Sequence, residues 1–520
     1  MPHTKGSVFL DPSGKRWRNI RRVTLAAGIL STLTALGLAI TFLIPPILPN
    51  LQAAKSAVRI TPRQNRLTIT RDAARKRADR EQLLAALTRK PVPPATHAER
   101  LAVAVNRPSE SRDAQRKVAP NAQRPPIVAG FYVNWDDNSF TSFKAHVTDL
   151  DWVIGEWVFL SKGGTGLKIT PDAKVLYVVQ NLPEKDRPRI FAMVSNFDGQ
   201  KFSSDLLRRM LKTAASREAA AIQLVDAAQK FGFAGITIDF EEVPDDLLDP
   251  MFDFMRILRA GLRPGGRLLT SAVAVSTDEA LARRYAAAND YLFLMLYDEH
   301  YGTGDPGPVA SQSWYVEKAR QFMTWIPAQK TILALGAYGT EWNDAGPKLT
   351  GATLTFEDAM VRAKEHGATV QFDSVSLNPY ITYTDSAGTD HVAWFLDAVT
   401  AWNQAQAGVA LGAAGTAVWR LGSEDPSIWN AISNDVPRGQ PTTLADIPGG
   451  YDPKFAGVGG LLRITTRPQP GHRLLQVDPR TQLITHESIT QFPSPWVVER
   501  FGSSDPGKVA ITFDDGPDPR

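Results

Sequence analysis

Short apolar runs recur eight times between residues 125 and 436, and amphipathic stretches of helical period separate most of them. The runs read "PIVAGFYVN" from Pro126, "LDWVIGEWVFL" from Leu150, "PRIFAMVSN" from Pro188 and "FAGITIDFE" from Phe233. "RLLTSAVAV" from Arg267, "YLFLMLYD" from Tyr291, "TILALGAYG" from Thr331 and "GTAVWRLG" from Gly415 complete the set. Near-continuous apolar runs are what strands buried on both faces require. Eight of them alternating with helices predict an α/β protein built on a (β/α)8 TIM barrel. A doubly wound open sheet is the second fold to weigh, but no Gly-rich phosphate loop opens any of the helices. The rhythm loosens after the seventh strand. About 75 residues lie between Gly339 and Gly415, and "ATVQFDSVSLNPYITYTDSAGTDHVAWFLDA" carries strand and turn signals of its own. A small α+β insertion between strands 7 and 8 is expected there.

Outside this region the pattern changes. Residues 23–44, "VTLAAGILSTLTALGLAITFLI", contain no charge and are followed by Pro45 and Pro46. As a helix they would extend about 33 Å, enough for a bilayer core. Lys15, Arg16, Arg18, Arg21 and Arg22 precede them, the arrangement of a cytoplasmic flank. The expectation is a basic cytoplasmic tail over 1–22 and a single-pass signal-anchor over 23–44, with everything after it outside the cytoplasm. A cleaved signal peptide is the alternative, although its apolar core is usually shorter. Residues 45–124 are polar, Ala-rich and punctuated by Pro, which reads as a stalk with one exposed helix around Leu83, Leu84 and Leu87. Residues 437–507 turn Pro/Gly-rich with short strands, a small β-rich connector.

Charge sharpens the division. The formal net charge is +4, but residues 1–124 hold 23 Lys/Arg against 7 Asp/Glu, which leaves the remainder acidic. No basic stripe with interleaved aromatics occurs in the folded bulk, so nucleic acid is not expected as a partner. The chain has no cysteine, which excludes disulfides, thiolate metal sites and a cysteine nucleophile.

The candidate chemistry sits on the fourth run. Along "GITIDFEE", Thr237, Asp239 and Glu241 share one face and Ile236, Ile238 and Phe240 the other. In a barrel the apolar set meets the helices, and the polar set points inward with Glu241 nearest the C-terminal mouth, where active sites form. Two inward carboxylates are costly to desolvate and each raises the proton affinity of the other. A carboxyl raised in this way can serve as a general acid near neutral pH. The plainer alternative is a solvated strand exit.

"GITIDFE" resembles the fourth-strand signature of glycoside hydrolase family 18, D-G-x-D-x-D-x-E. Gly235, Asp239 and Glu241 match it, whereas Ala234 and Thr237 stand where the family has its first two Asp residues. "LMLYD" resembles the sixth-strand motif of that family, with Tyr297 and Asp298, and "GTAVWRLG" its eighth strand, with Trp419. The run from "YITYTDSAGTDHVAWFLDA" to "SEDPSIW" is similar to the spore-cortex-lytic branch. The resemblance implies a retaining glycosidase of GlcNAc-containing polysaccharide in which the substrate's own 2-acetamido oxygen attacks C1. It implies Glu241 as the acid, Asp239 as the group holding the acetamido N–H, Tyr297 as a donor to the acetamido carbonyl, and Trp419 as the floor beneath the sugar. Asp298 and Tyr132 stand as further substrate-binding candidates. No cofactor is implied for this reaction. A barrel that binds glycan without cleaving it is the competing reading, because Thr237 removes one of the family's carboxylates.

The sequence closes on "KVAITFDDGPDPR". Residues 508–520 resemble the first strand and motif of the family 4 carbohydrate esterases, the polysaccharide deacetylases. That resemblance would make Asp514 a general base and Asp515 a ligand to zinc or a similar divalent ion. A turn closing a strand is the other reading. The family's H-x-x-x-H pair does not occur in the sequence, so deacetylation, and with it any metal, is expected only of a longer protein.

Overall fold

The computed structural model describes residues 126–502, apart from 164–165, 345–349, 433–440 and 452. The expected signal-anchor, the stalk and the Asp514–Asp515 motif lie outside the described residues. Among the described residues no helix is long and apolar enough to cross a membrane.

Eight parallel strands form at the eight apolar runs: β1 (Ile127–Tyr132), β2 (Trp152–Leu160), β3 (Arg189–Ser195), β4 (Gly235–Asp239), β5 (Leu268–Ala274), β6 (Tyr291–Met295), β7 (Thr331–Gly336) and β8 (Gly415–Trp419). Each pairs with its neighbour in chain order, and β8 returns to β1 through Ile127↔Gly415, so the sheet closes into a barrel. Closure leaves no open edge in the eight-strand set.

Alternation along the strands separates two cores. Phe131, Trp152, Ile154, Phe191, Met193 and Phe293 fill the barrel interior. The intervening residues, among them Val128, Val153, Ile236, Ile238 and Leu294, face the surrounding helices. Burying a side chain of this size contributes about 2–3 kcal/mol. Gly235 belongs to the inner layer, where a Cβ would come within 2.4 Å of the Leu268 carbonyl and 2.5 Å of the Phe191 ring. Only a residue without a side chain fits.

The helices between the strands carry their own start and stop signals. Ala214–Phe231 opens on a reciprocal cap between Thr213 and Ser216 and ends at Gly232, whose φ of 69° few other residues tolerate. Asp245–Leu262 places Asp245 and Asp246 in its first turn, where the helix dipole favours negative charge.

Between β7 and β8 the strands Gly339–Asn343, Thr350–Leu354, Gln371–Asp373, Asn378–Thr384 and Asp390–Phe395 form an antiparallel five-stranded sheet. Phe356, Ala359 and Met360 of the helix Phe356–Glu365 pack on it together with Leu354, Ile381 and Phe395. After β8 two three-stranded sheets follow. One of them, through Gly471–Val477, is joined to the barrel by Arg473. This fully buried guanidinium donates to Asp397 at 3.0 Å, Asp425 at 2.6 Å and Glu487 at 3.0 Å.

Candidate active site

At the C-terminal end of β4 the alternation sends Thr237 and Asp239 into the barrel and Ile236 and Ile238 outward. Thr237 is fully buried, and its hydroxyl shares a hydrogen bond of 2.8 Å with that of Thr270 on β5. Asp239 is also buried and accepts a hydrogen bond from the Ser195 side chain at the end of β3. Burial first, then the charges of Glu241 and Glu156, hold its carboxyl well above the usual range.

Glu241 follows two residues later, where the strand has ended. Asn196 fixes its main chain from both sides: the Asn196 Nδ2 donates to the Glu241 carbonyl at 2.9 Å, and Oδ1 accepts the Glu241 N–H at 3.0 Å. Enclosure, then Asp298 and Glu242, push the Glu241 carboxyl up to about 7. At pH 6 such a group is about 90% protonated, against about 3% for a glutamate at 4.5. The pair therefore sets a proton-bearing carboxyl beside a second buried one.

Tyr297, just beyond β6, faces the same carboxyls. Burial and then the charges of Asp239, Glu241 and Asp298 raise its hydroxyl well above the ordinary tyrosine value. Its ring meets that of Tyr338 edge-on at 6.1 Å. Asp298 lies at the rim with a φ of 62° and accepts the Tyr338 hydroxyl proton. Enclosure raises the Asp298 carboxyl, and the Tyr338 hydrogen bond opposes that rise. Trp419 ends β8, half-buried, with its ring edge-on to Phe131 at 5.4 Å. The barrel thus brings Asp239, Glu241, Tyr297 and Asp298 together, and Trp419 stands at the same end of the barrel.

Tyr132 is not among them, and its expected place against substrate is corrected. Phe131 faces the barrel interior, so alternation turns Tyr132 outward, where it packs edge-on against Phe143 and Trp157. Its hydroxyl donates to Asp172 at 2.6 Å, and the side chain is buried.

Glu156, Trp135, Arg420 and Asn196 escaped the sequence reading. Glu156 lies in the middle of β2 and accepts the Trp135 indole N–H at 2.7 Å. Trp135 is 58% exposed, and the Arg420 guanidinium lies 4.3 Å from its ring centroid. Arg420 in turn donates to Asp136 at 2.5 Å. A signal for Glu156 was present, since it is the one charged residue in "WVIGEWVFL". Nothing comparable marked Asn196. Among the described residues no group of three or more His, Asp or Glu is placed to hold a metal ion.

Residues 127–424 match the family described as Glycosyl hydrolases family 18. The glycosylase YvbX of Bacillus subtilis is 25% identical over 315 residues, covering 58% of this chain and 89% of that protein. A cortical fragment-lytic enzyme of the same organism is 25% identical over 269 residues, 49% of this chain and 62% of its own. The chain spans about half the length, 51%, of YdhD of Bacillus subtilis, named as a sporulation-specific glycosylase, at 29% identity. Among solved structures, a chitinase from Chromobacterium violaceum superposes with a TM-score of 0.53 at 24% identity, over 59% of this chain and 97% of that one. The spore cortex-lytic enzyme SleL of Bacillus cereus gives 0.53 at 20%, over 60% and 75%. At these identities the superpositions speak for the fold.

Proposed function

The chain belongs to the family 18 glycosyl hydrolases, and from that membership we propose that it cleaves β-1,4 linkages in an N-acetylglucosamine-containing polysaccharide with retention of configuration. The observation that carries the reading is the enclosed pair on one strand exit, Asp239 well above its usual range and Glu241 at about 7. Glu241 gives its proton to the leaving glycosidic oxygen as the C1–O bond breaks. The substrate's acetamido oxygen closes on C1 from the opposite face, and a water then opens the ring intermediate with Glu241 taking a proton back. Asp239 holds the acetamido N–H and faces the positive charge that develops there. Tyr297 donates to the acetamido oxygen and aligns it for attack. Trp419 offers an apolar floor to the sugar ring, and Asp298 contributes to binding at the rim.

The apolar run at 23–44 supports a place on the outer side of the cytoplasmic membrane. The Asp514–Asp515 motif supports a parent protein that also deacetylates such a polymer.

Purified protein is to be assayed on chitooligosaccharides and on peptidoglycan beside the Glu241→Gln variant. A loss of about 10²–10⁴-fold in rate is expected, the span typical of a lost general acid. Equal rates in the two proteins remove Glu241 from its role. Binding of oligosaccharide without turnover by either protein favours the silent glycan-binding barrel, a reading that the neutral Thr237–Thr270 pair keeps open.

A further inference from the structure

Glu156 is a buried carboxylate that the steps above do not use. It shares the inward parity of Trp152 and Ile154 on β2. Its register partner on β3 is Met193, whose partner on β4 is Thr237, whose partner on β5 is Thr270. Glu156 and Thr237 therefore occupy one level of the barrel, two residues below Ser195 and Asp239 along the strands. On that level the β4–β5 side is closed by a hydroxyl pair without charge, and the charge enters from β2.

We propose that Glu156 is a positioning residue for Asp239: from β2 it supplies the negative charge that Thr237 on β4 does not carry. The assignment rests on the glycosidase reading for its role in catalysis. A carboxylate at this place makes Asp239 a stronger acceptor, both for a proton and for the acetamido N–H it holds. Trp135 fixes the geometry, because its indole N–H donates to Glu156 Oε2. Burial raises the Glu156 carboxyl above its usual range, and the Trp135 hydrogen bond and the charge of Arg420, which lies over that indole, oppose the rise and favour the ionised form.

The groups facing Asp239 come from several elements. Glu241 follows on its own segment, Glu156 faces it from β2 and Ser195 from β3. Tyr297 faces it from the end of β6. The charge of Asp239 is also felt by Tyr285 of the helix Glu279–Ala288, whose hydroxyl lies on the Met251 sulfur in the outer core. Glu241 has a different set, chiefly Asp298 and Glu242. Glu156 is not among those charges, so its removal acts first on Asp239.

The test compares wild type, Glu156→Gln and the double variant Glu156→Gln with Thr237→Asp. Two readouts are taken: the pH profile of kcat/KM, and the titration of Asp239 by carboxyl carbon NMR, which needs no turnover. Glutamine keeps an acceptor for Trp135, and equal thermal unfolding of the three proteins checks the fold. In Glu156→Gln the acidic limb and the Asp239 midpoint move to lower pH by about one pH unit, and the alkaline limb moves less. A loss in kcat of about tenfold with little change in KM accompanies the shift. Thr237→Asp in the same chain returns both readouts toward wild type. An unmoved Asp239 midpoint in Glu156→Gln overturns the assignment, and so does a loss of activity with an unchanged profile. If wild type cleaves no polymer yet the Asp239 midpoint moves as stated, the glycosidase reading fails and the charge pairing of Glu156 with Asp239 stands.

Discussion

Asn196 grips Glu241 by the main chain, giving one hydrogen bond and taking one across the gap between β3 and β4. Glu241 is thus held at its backbone, and its carboxyl takes no part in that grip, as the proposed role of acid requires. Replacement by Ala removes both bonds and leaves two main-chain groups to find other partners. Asn196→Ala is expected to cost about 1–3 kcal/mol of stability. A misplacement of about 1 Å at the acid can cost about 10²-fold in kcat. Denaturant unfolding and steady-state kinetics on the same preparation check the two effects.

The pH profile follows from the raised carboxyls. A general acid works only while protonated, and Glu241 loses its proton as pH rises through about 7. Hydrolysis is therefore expected to hold through mildly acidic pH and to fall about tenfold for each pH unit above about 7. Asp298 exerts the largest charge effect on Glu241, so Asp298→Asn is expected to move this alkaline limb downward. A limb that stays in place in that variant would count against the stated cause.

The stability that Glu241 contributes is expected to fall with rising pH, as catalysis does. The folded Glu241 binds its proton more tightly than the unfolded chain does, since its value is raised from 4.5 to about 7. Stability from this group is full below about 4.5 and is lost as pH rises to about 7, a loss of up to about 3 kcal/mol. Glu241→Gln carries no charge to bury. It should melt a few degrees above wild type at pH 8 and close to it at pH 4.5. Thermal scans at the two pH values decide it.

Tyr132→Phe tests the corrected position. The variant loses the hydrogen bond to Asp172 while Asp172 keeps the Lys174 N–H at 2.8 Å. A destabilisation of about 1–2 kcal/mol is expected, with KM for oligosaccharide unchanged. A raised KM would return Tyr132 to the substrate.

The barrel was legible because each inner strand is apolar on both faces, and such runs stand out against amphipathic helices. The β4 pair was legible because alternation alone puts Asp239 and Glu241 on one side. Alternation alone leaves the side of Tyr132 open. Its parity is set by Phe131, and only the packing shows which of the two faces the interior. Glu156 and Asn196 were hidden for a different reason. Their partners lie on other segments, Trp135 after β1 for one and the Glu241 main chain after β4 for the other, and chain spacing carries no trace of strand order around a barrel. Arg473 carries no signal in the sequence, because two of its three acids, Asp397 and Asp425, lie far away along the chain.

That arginine redraws where the folded body stops. Asp397 caps the helix Ala398–Ala410 by accepting the Thr400 N–H, and Asp425 receives the Ala398 N–H as well as the guanidinium. One cation from beyond residue 437 thus answers three acids, two of which belong to the last helix and the exit of the barrel itself. Stripped of Arg473, the cluster would hold buried like charges with no counter-ion from that strand, a defect of about 3–5 kcal/mol. The change of sequence style at 436 is therefore a seam in composition, while the piece that melts as one runs through the strands behind it.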